Sequence, residues 1–128
     1  MPGTKLNGAT RVETPEADEI GPGDVFWAQL GPVVGREQTG RRPVVVVSGR
    51  GHLLAATTLC TVVPVTSVDR GWPNHVFLDA AGLDHPSWAM TEQIRTISRG
   101  RLRHRAGAVT PAILVEIRMW MKDFLQLH

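Results

Sequence analysis

Arginine dominates the chemistry this sequence offers. Of its 14 basic residues only Lys5 and Lys122 are lysines. The arginines gather into two stretches. Arg36, Arg41, Arg42 and Arg50 are accompanied by Glu37 alone, and Arg95, Arg99, Arg101, Arg103 and Arg105 have no acid among them. A guanidinium forks onto phosphate or carboxylate with two parallel hydrogen bonds, which an ammonium does not. Two such clusters on 128 residues point to an anionic partner, nucleic acid or an acidic peptide. The competing reading of the second cluster is a solvated face beside a helix, and composition weighs the two evenly. The formal net charge of +2 understates the bias, because residues 1–20 lean acidic and the remainder basic. The single cysteine, Cys60, lies in the apolar run TLCTVVPV with no basic neighbour. It is read as a buried, inert thiol.

These side chains need a scaffold, and the chain fits one domain. A 42% hydrophobic share suffices for one core. No apolar run approaches the roughly 20 residues of a membrane helix. The N-terminus lacks the apolar stretch of a secretory signal, so the expected setting is the cytoplasm. Residues 1–20 are polar and aperiodic and read as a flexible N-terminal tail, leaving 21–128 as the folded domain. Strand-like runs follow at 25–30, 43–48, 59–65 and 75–79, with one or two more over 87–93 and 94–97. Trp27 and Trp88 fall within these runs and read as core. The segment RGRLRHRAG is expected to form a short helical turn and a loop. Thr110-Pro111 then supplies a helix cap with proline at the first position. Ile113, Ile117, Trp120, Met121 and Phe124 recur at helical spacing behind it. The pattern predicts a mainly β, mostly antiparallel barrel with a C-terminal helix.

Several motifs lie in order along this scaffold. Gly23-Asp24-Val25-Phe26-Trp27 opens it, and GREQTGRRPVVVVS occupies 35–48. Val63-Pro64-Val65-Thr66-Ser67 and Glu92-Gln93-Ile94-Arg95-Thr96-Ile97 follow. Together they resemble the MazF/PemK-type toxins of bacterial type II toxin–antitoxin systems, over about residues 21–126. Several ordered motifs at compatible spacing make the likeness specific. It implies a small SH3-like barrel of the MazF/PemK/CcdB type and a homodimer. It also implies a sequence-specific endoribonuclease that needs no metal or other cofactor. Cleavage would leave a 2′,3′-cyclic phosphate and a 5′-hydroxyl. Single-stranded RNA would lie in a groove across the dimer, and the C-terminal segment of a MazE-like antitoxin would fill the same groove.

In such cleavage the ribose 2′-OH attacks the adjacent phosphorus. One group accepts its proton, another protonates the 5′ oxygen, and positive charge or donors hold the phosphorane oxygens. The resemblance assigns the catalytic pair to Arg42 and Thr66. Arg42 sits just before Pro43 and an apolar strand, a rigid mount for a phosphorane stabiliser. Thr66 ends its own strand run, where its hydroxyl would emerge at the edge. Arginine keeps its proton far above neutral pH, so the proton acceptor is sought elsewhere. Glu37 and Glu92 are the candidates, with His52 weaker. Glu37 is read equally as an ion pair to Arg42. The PemK branch carries His at the place of Arg36, Arg at Met90 and Asp at Glu92. The first two departures favour the Arg42/Thr66 scheme.

Arg36 and Gln38 would lie on the loop over the groove. Gln93 would lie on a strand facing it beside Glu92, with Arg95 two residues on and on the same face as a phosphate contact. Trp72 in its polar loop is offered as a base-stacking platform, against a capping or dimer-seam role. Two other classes remain as alternatives: a CcdB-like toxin that binds and poisons DNA gyrase, and a homologue that only binds.

Overall fold

A computed structural model describes residues 19–31 and 40–127. Arg36, Glu37 and Gln38 lie outside the described residues, as do positions 1–18 of the expected tail. In chain order the elements are β1 (Asp24–Gln29), β2 (Arg41–Val46), α1 (Arg50–Ala55) and β3 (Leu59–Thr66). There follow β4 (His75–Phe77), β5 (Trp88–Met90), β6 (Arg95–Ser98), β7 (Leu102–Ala108) and α2 (Pro111–Leu125). Every pairing is antiparallel, along the path β4-β5-β3-β2-β1-β7, with β6 on β3. Among the described residues the path is open rather than a closed barrel, and the class is mainly β with a C-terminal helix as expected.

The central strands read as unbroken apolar runs because both of their faces are covered. Val25, Val45, Val47, Val63 and Val65 face one core, roofed by Ile117 of α2 with Ile113, Leu114, Trp120 and Met121. The alternate residues Phe26, Ala28, Val44, Val46, Cys60 and Val62 face a second core. Leu53 of α1, Ile97, Leu102 and Ile20 complete it. Ile20 is 1% exposed, so the folded unit begins inside the stretch read as tail. Burying one such side chain is worth ~1.5–3 kcal/mol.

The helix prediction holds in detail. The Thr110 hydroxyl accepts the Ile113 N–H at 3.2 Å, and Pro111 opens the helix. Two local expectations change. Glu92 and Gln93 belong to a 3₁₀ turn, Thr91–Gln93, before β6 rather than to a strand. Strand alternation therefore does not set Gln93 and Arg95 on one face. RGRLRHRAG forms a 3₁₀ turn, Arg99–Arg101, and then strand β7 instead of a loop. Its arginines are drawn into the fold. Arg99 is buried and donates to the carbonyls of Leu53, Ala56 and Leu59, closing the C-terminal end of α1. Arg101 donates to the Gln29 carbonyl at 3.1 Å, and Arg105 pairs with Asp24 at 3.2 Å. Finally, His52 sits in α1, where its Nδ1 shares a 2.7 Å hydrogen bond with Ser48 Oγ.

Candidate active site

The register of β2 on β3 assembles the site. Val46 opposes Val62, Val45 opposes Val63 and Val44 opposes Pro64. The β2–β3 ladder ends there, and Arg42 and Thr66 each lie two residues beyond its last pair, on the strands that continue from it. Arg42 Nη1 donates to the Val65 carbonyl at 3.2 Å, which holds its guanidinium beside the end of β3 at Thr66. Thr66 in turn opposes Trp88 of β5. Its hydroxyl is nearly buried and accepts the Val68 N–H at 3.1 Å, shaping the turn that leaves β3.

Arg42 and Thr66 line one cleft of about 400 Å³. Trp27 forms part of its wall, and the segment before β5 closes another side with Asp84, His85 and Ser87. The Ser87 hydroxyl donates to the His85 carbonyl at 2.8 Å, shaping that segment. Trp27 is thus half-buried at the cleft and stacks on His104 at 6.2 Å, rather than lying in the core. Trp88 is likewise half-buried, tilted on Phe77 at 5.6 Å.

Trp72, before β4, and Glu92 and Gln93 of the 3₁₀ turn form a separate cluster around His75. Glu92 accepts from Asn74 Nδ2 at 2.8 Å and lies 3.1 Å from His75 Nε2. Burial pushes the Glu92 carboxyl upward, but its own backbone N–H, the His75 hydrogen bond and charge, and Asn74 outweigh it. The net result is a carboxyl held below its ordinary range. Glu92 does not line the cleft of Arg42 and Thr66. Gln93 Nε2 points to Met90 Sδ and the Glu92 carboxylate. Trp72 is 49% exposed, with its ring 4.7 Å from the His75 ring and Arg70 on it at 5.8 Å. Arg95 is exposed on β6, opposite Val62. The structure therefore joins Arg42 to Thr66 and Trp72 to Glu92, as two patches.

Asp84 and His85 escaped the sequence reading. Gly82-Leu83-Asp84-His85-Pro86 looked like punctuation between strands. The signal lay in the pairing of Thr66 with Trp88, which brings the residues just before Trp88 to the Thr66 end of β3.

Residues 21–125 match the PemK-like, MazF-like toxin family of type II toxin–antitoxin systems. The chain belongs to this family. Endoribonuclease EndoA of Bacillus subtilis is 40% identical over 83 residues, covering 62% of this chain and 72% of that protein. The endoribonuclease toxin MazF of Escherichia coli is 34% identical over 97 residues, covering 75% and 85%. A crystal structure of MazE–MazF from Deinococcus radiodurans superposes with a TM-score of 0.71 at 28% identity. That match spans 91% of this chain and 99% of the other. The MazF-like fold thus accounts for nearly all of the described residues.

Proposed function

We propose that this MazF-like chain is an endoribonuclease toxin that cuts single-stranded RNA at a short sequence. The observation that carries the reading is that Arg42 and Thr66 line one cleft, with Arg42 Nη1 held on the Val65 carbonyl next to Thr66. The 2′-OH attacks the adjacent phosphorus, and the P–O5′ bond breaks. The products carry a 2′,3′-cyclic phosphate and a 5′-hydroxyl, and no metal takes part. Arg42 places its charge and donors on the non-bridging oxygens as they gain charge. The Thr66 hydroxyl donates to the same group. Trp72, Gln93 and Arg95, with Arg36 and Gln38, contact the RNA on either side, and the patch around Trp72 and Glu92 reads bases. Acid and amide side chains suit base edges, which single-stranded RNA exposes.

The active form is a cytoplasmic homodimer. A MazE-like antitoxin inhibits it by laying its C-terminal segment in the RNA groove. Support for the antitoxin comes from the MazE–MazF assembly solved for the Deinococcus relative.

The test is incubation of the purified protein with a long, relaxed transcript in EDTA, beside Arg42→Ala, followed by mapping of the ends. Cuts at one short motif with 5′-hydroxyl ends, reduced ~10²–10³-fold in the variant, are expected. Intact RNA under every condition overturns the reading and turns attention to gyrase poisoning, measured by supercoiling.

A further inference from the structure

The reaction proposed above needs a group that takes the 2′-OH proton. Of the residues first considered for it, Glu37 lies outside the described residues and the others are poorly placed. Arginine as a side-chain type is a poor proton acceptor, which counts against Arg42. Glu92 lies outside the cleft, its carboxylate engaged by Asn74 and His75. His52 is tied to Ser48 Oγ at 2.7 Å and is likewise absent from the cleft lining.

The cleft itself contains a better base. His85 lies in the segment before β5, which the pairing of Thr66 with Trp88 brings to the Thr66 end of β3. It lines the same cleft as Arg42 and Thr66. Its carbonyl is held by the Ser87 hydroxyl at 2.8 Å, while its imidazole has no hydrogen-bond partner among the described residues. We propose that His85 is the residue that accepts the 2′-OH proton. This rests on the ribonuclease reading of the site.

An imidazole suits the task as a side-chain type. It is largely unprotonated at neutral pH yet more basic than a carboxylate such as neighbouring Asp84. In the step, the 2′-O–H bond breaks and its proton passes to the imidazole as the 2′-O–P bond forms. The P–O5′ bond breaks, and the 5′ oxygen takes a proton from water in the open cleft. The imidazolium then returns its proton to solvent. Among the described residues, the charged groups that line the cleft with His85 are Arg41 and Arg42 on β2 and Asp84 beside it.

Single-turnover cleavage of an RNA cut by the wild type, followed from mildly acidic to mildly alkaline pH, tests this. The wild-type rate should rise with pH and then level off. His85→Ala and His85→Gln should each lose ~10²–10⁴-fold and lose that rise. Free imidazole should restore part of the rate to His85→Ala but not to Arg42→Ala. Binding of the same RNA with a 2′-deoxy sugar at the cut should stay at the wild-type level, which separates lost chemistry from lost folding. Wild-type rates in His85→Ala, or an unchanged pH rise, overturn the proposal even if Arg42→Ala is dead. Loss of the rise in Asp84→Asn but not in His85→Ala overturns it in favour of the carboxylate. A wild type that cuts no RNA overturns the ribonuclease reading and this inference with it.

Discussion

Thr66 combines two roles that one pair of substitutions separates. Its oxygen accepts the Val68 N–H at 3.1 Å, and the same hydroxyl hydrogen is available to a phosphate oxygen. Thr66→Ser keeps both, so kcat should stay within a few-fold of wild type. Thr66→Val keeps the shape and removes both. It should lower kcat by ~10–10²-fold, the worth of about 1.4–3 kcal/mol of lost hydrogen bonding, with KM little changed. Equal falls in the two variants would point to the methyl group instead. Glu92 makes a different prediction, in pH. Its carboxyl is lowered in the folded state, so it adds stability above the ordinary carboxylate range and loses it as pH falls through the lowered value. With 31% of its side chain exposed, solvent screening keeps the effect within ~0.2–1 kcal/mol. Glu92→Gln should therefore flatten the acid limb of a urea-unfolding series slightly and leave the alkaline limb alone. Burial pushes the Cys60 thiol up to about 11 against the pull of Arg99, as the sequence reading of an inert thiol requires. Native protein should react with a thiol reagent only as fast as it unfolds. The placement of Arg42 and Thr66 at one cleft was legible because each bounds a strand run, and the roles proposed for them come from the family resemblance. His85 was not, because nothing in its turn sequence says which strand end it meets.

At the scale of elements, the segment that carries Asp84 and His85 is anchored by two glycines. Gly82 adopts a φ of +86°, and a Cβ there would overlap the Ala106 carbonyl. A Cβ on Gly107 of β7 would overlap the Ala81 carbonyl. The two backbones approach so closely that neither position has room for a side chain. Gly82→Ala should lower stability by ~1–3 kcal/mol, with both strain and overlap contributing. It should also reduce cleavage in the surviving folded fraction, because the displaced segment lines the cleft. An unaltered unfolding midpoint would show that the segment accommodates the methyl group freely. The Thr110 cap is simpler, and Thr110→Ala should cost about 1 kcal/mol without touching cleavage. Helix α2 was legible because its cap, proline and apolar spacing agree. Strand β7 was hidden because its arginines imitate a solvated loop. Arg103 donates to the carbonyls of Gly100 and Leu102, and Arg105 reaches Asp24 across β1, a contact no local pattern encodes. The Thr91–Gln93 turn was hidden by continuity, since WAMTEQIRTI reads as one run. The chain must break there because β3 pairs β5 through Val65 and Thr66 but β6 through residues 59–62.

At the scale of the whole molecule, the strands leave apolar surface that one chain does not cover. Val115 and Met119 lie one turn apart on α2, away from its buried stripe, and are 58% and 64% exposed. Phe77 and Trp72 are each about half exposed on the side of β4. Patches of this kind on a small domain mark contact surfaces. Light scattering after gel filtration should give about twice the 14.0 kDa chain mass, and a clean monomer at micromolar concentration would refute the dimer. The dimer also makes a kinetic prediction. Arg42, Thr66 and His85 all line a cleft of a single chain. On the function proposed above, each protomer would hold a whole chemical centre, even with an RNA groove running across both. When wild-type and Arg42→Ala chains are unfolded together and refolded as mixed dimers, the cutting rate should fall in proportion to the wild-type fraction. A steeper fall, with mixed dimers inactive, would mean that the partner supplies an essential group. A single-chain base such as His85 would then be insufficient, and the missing group would have to be sought across the dimer interface.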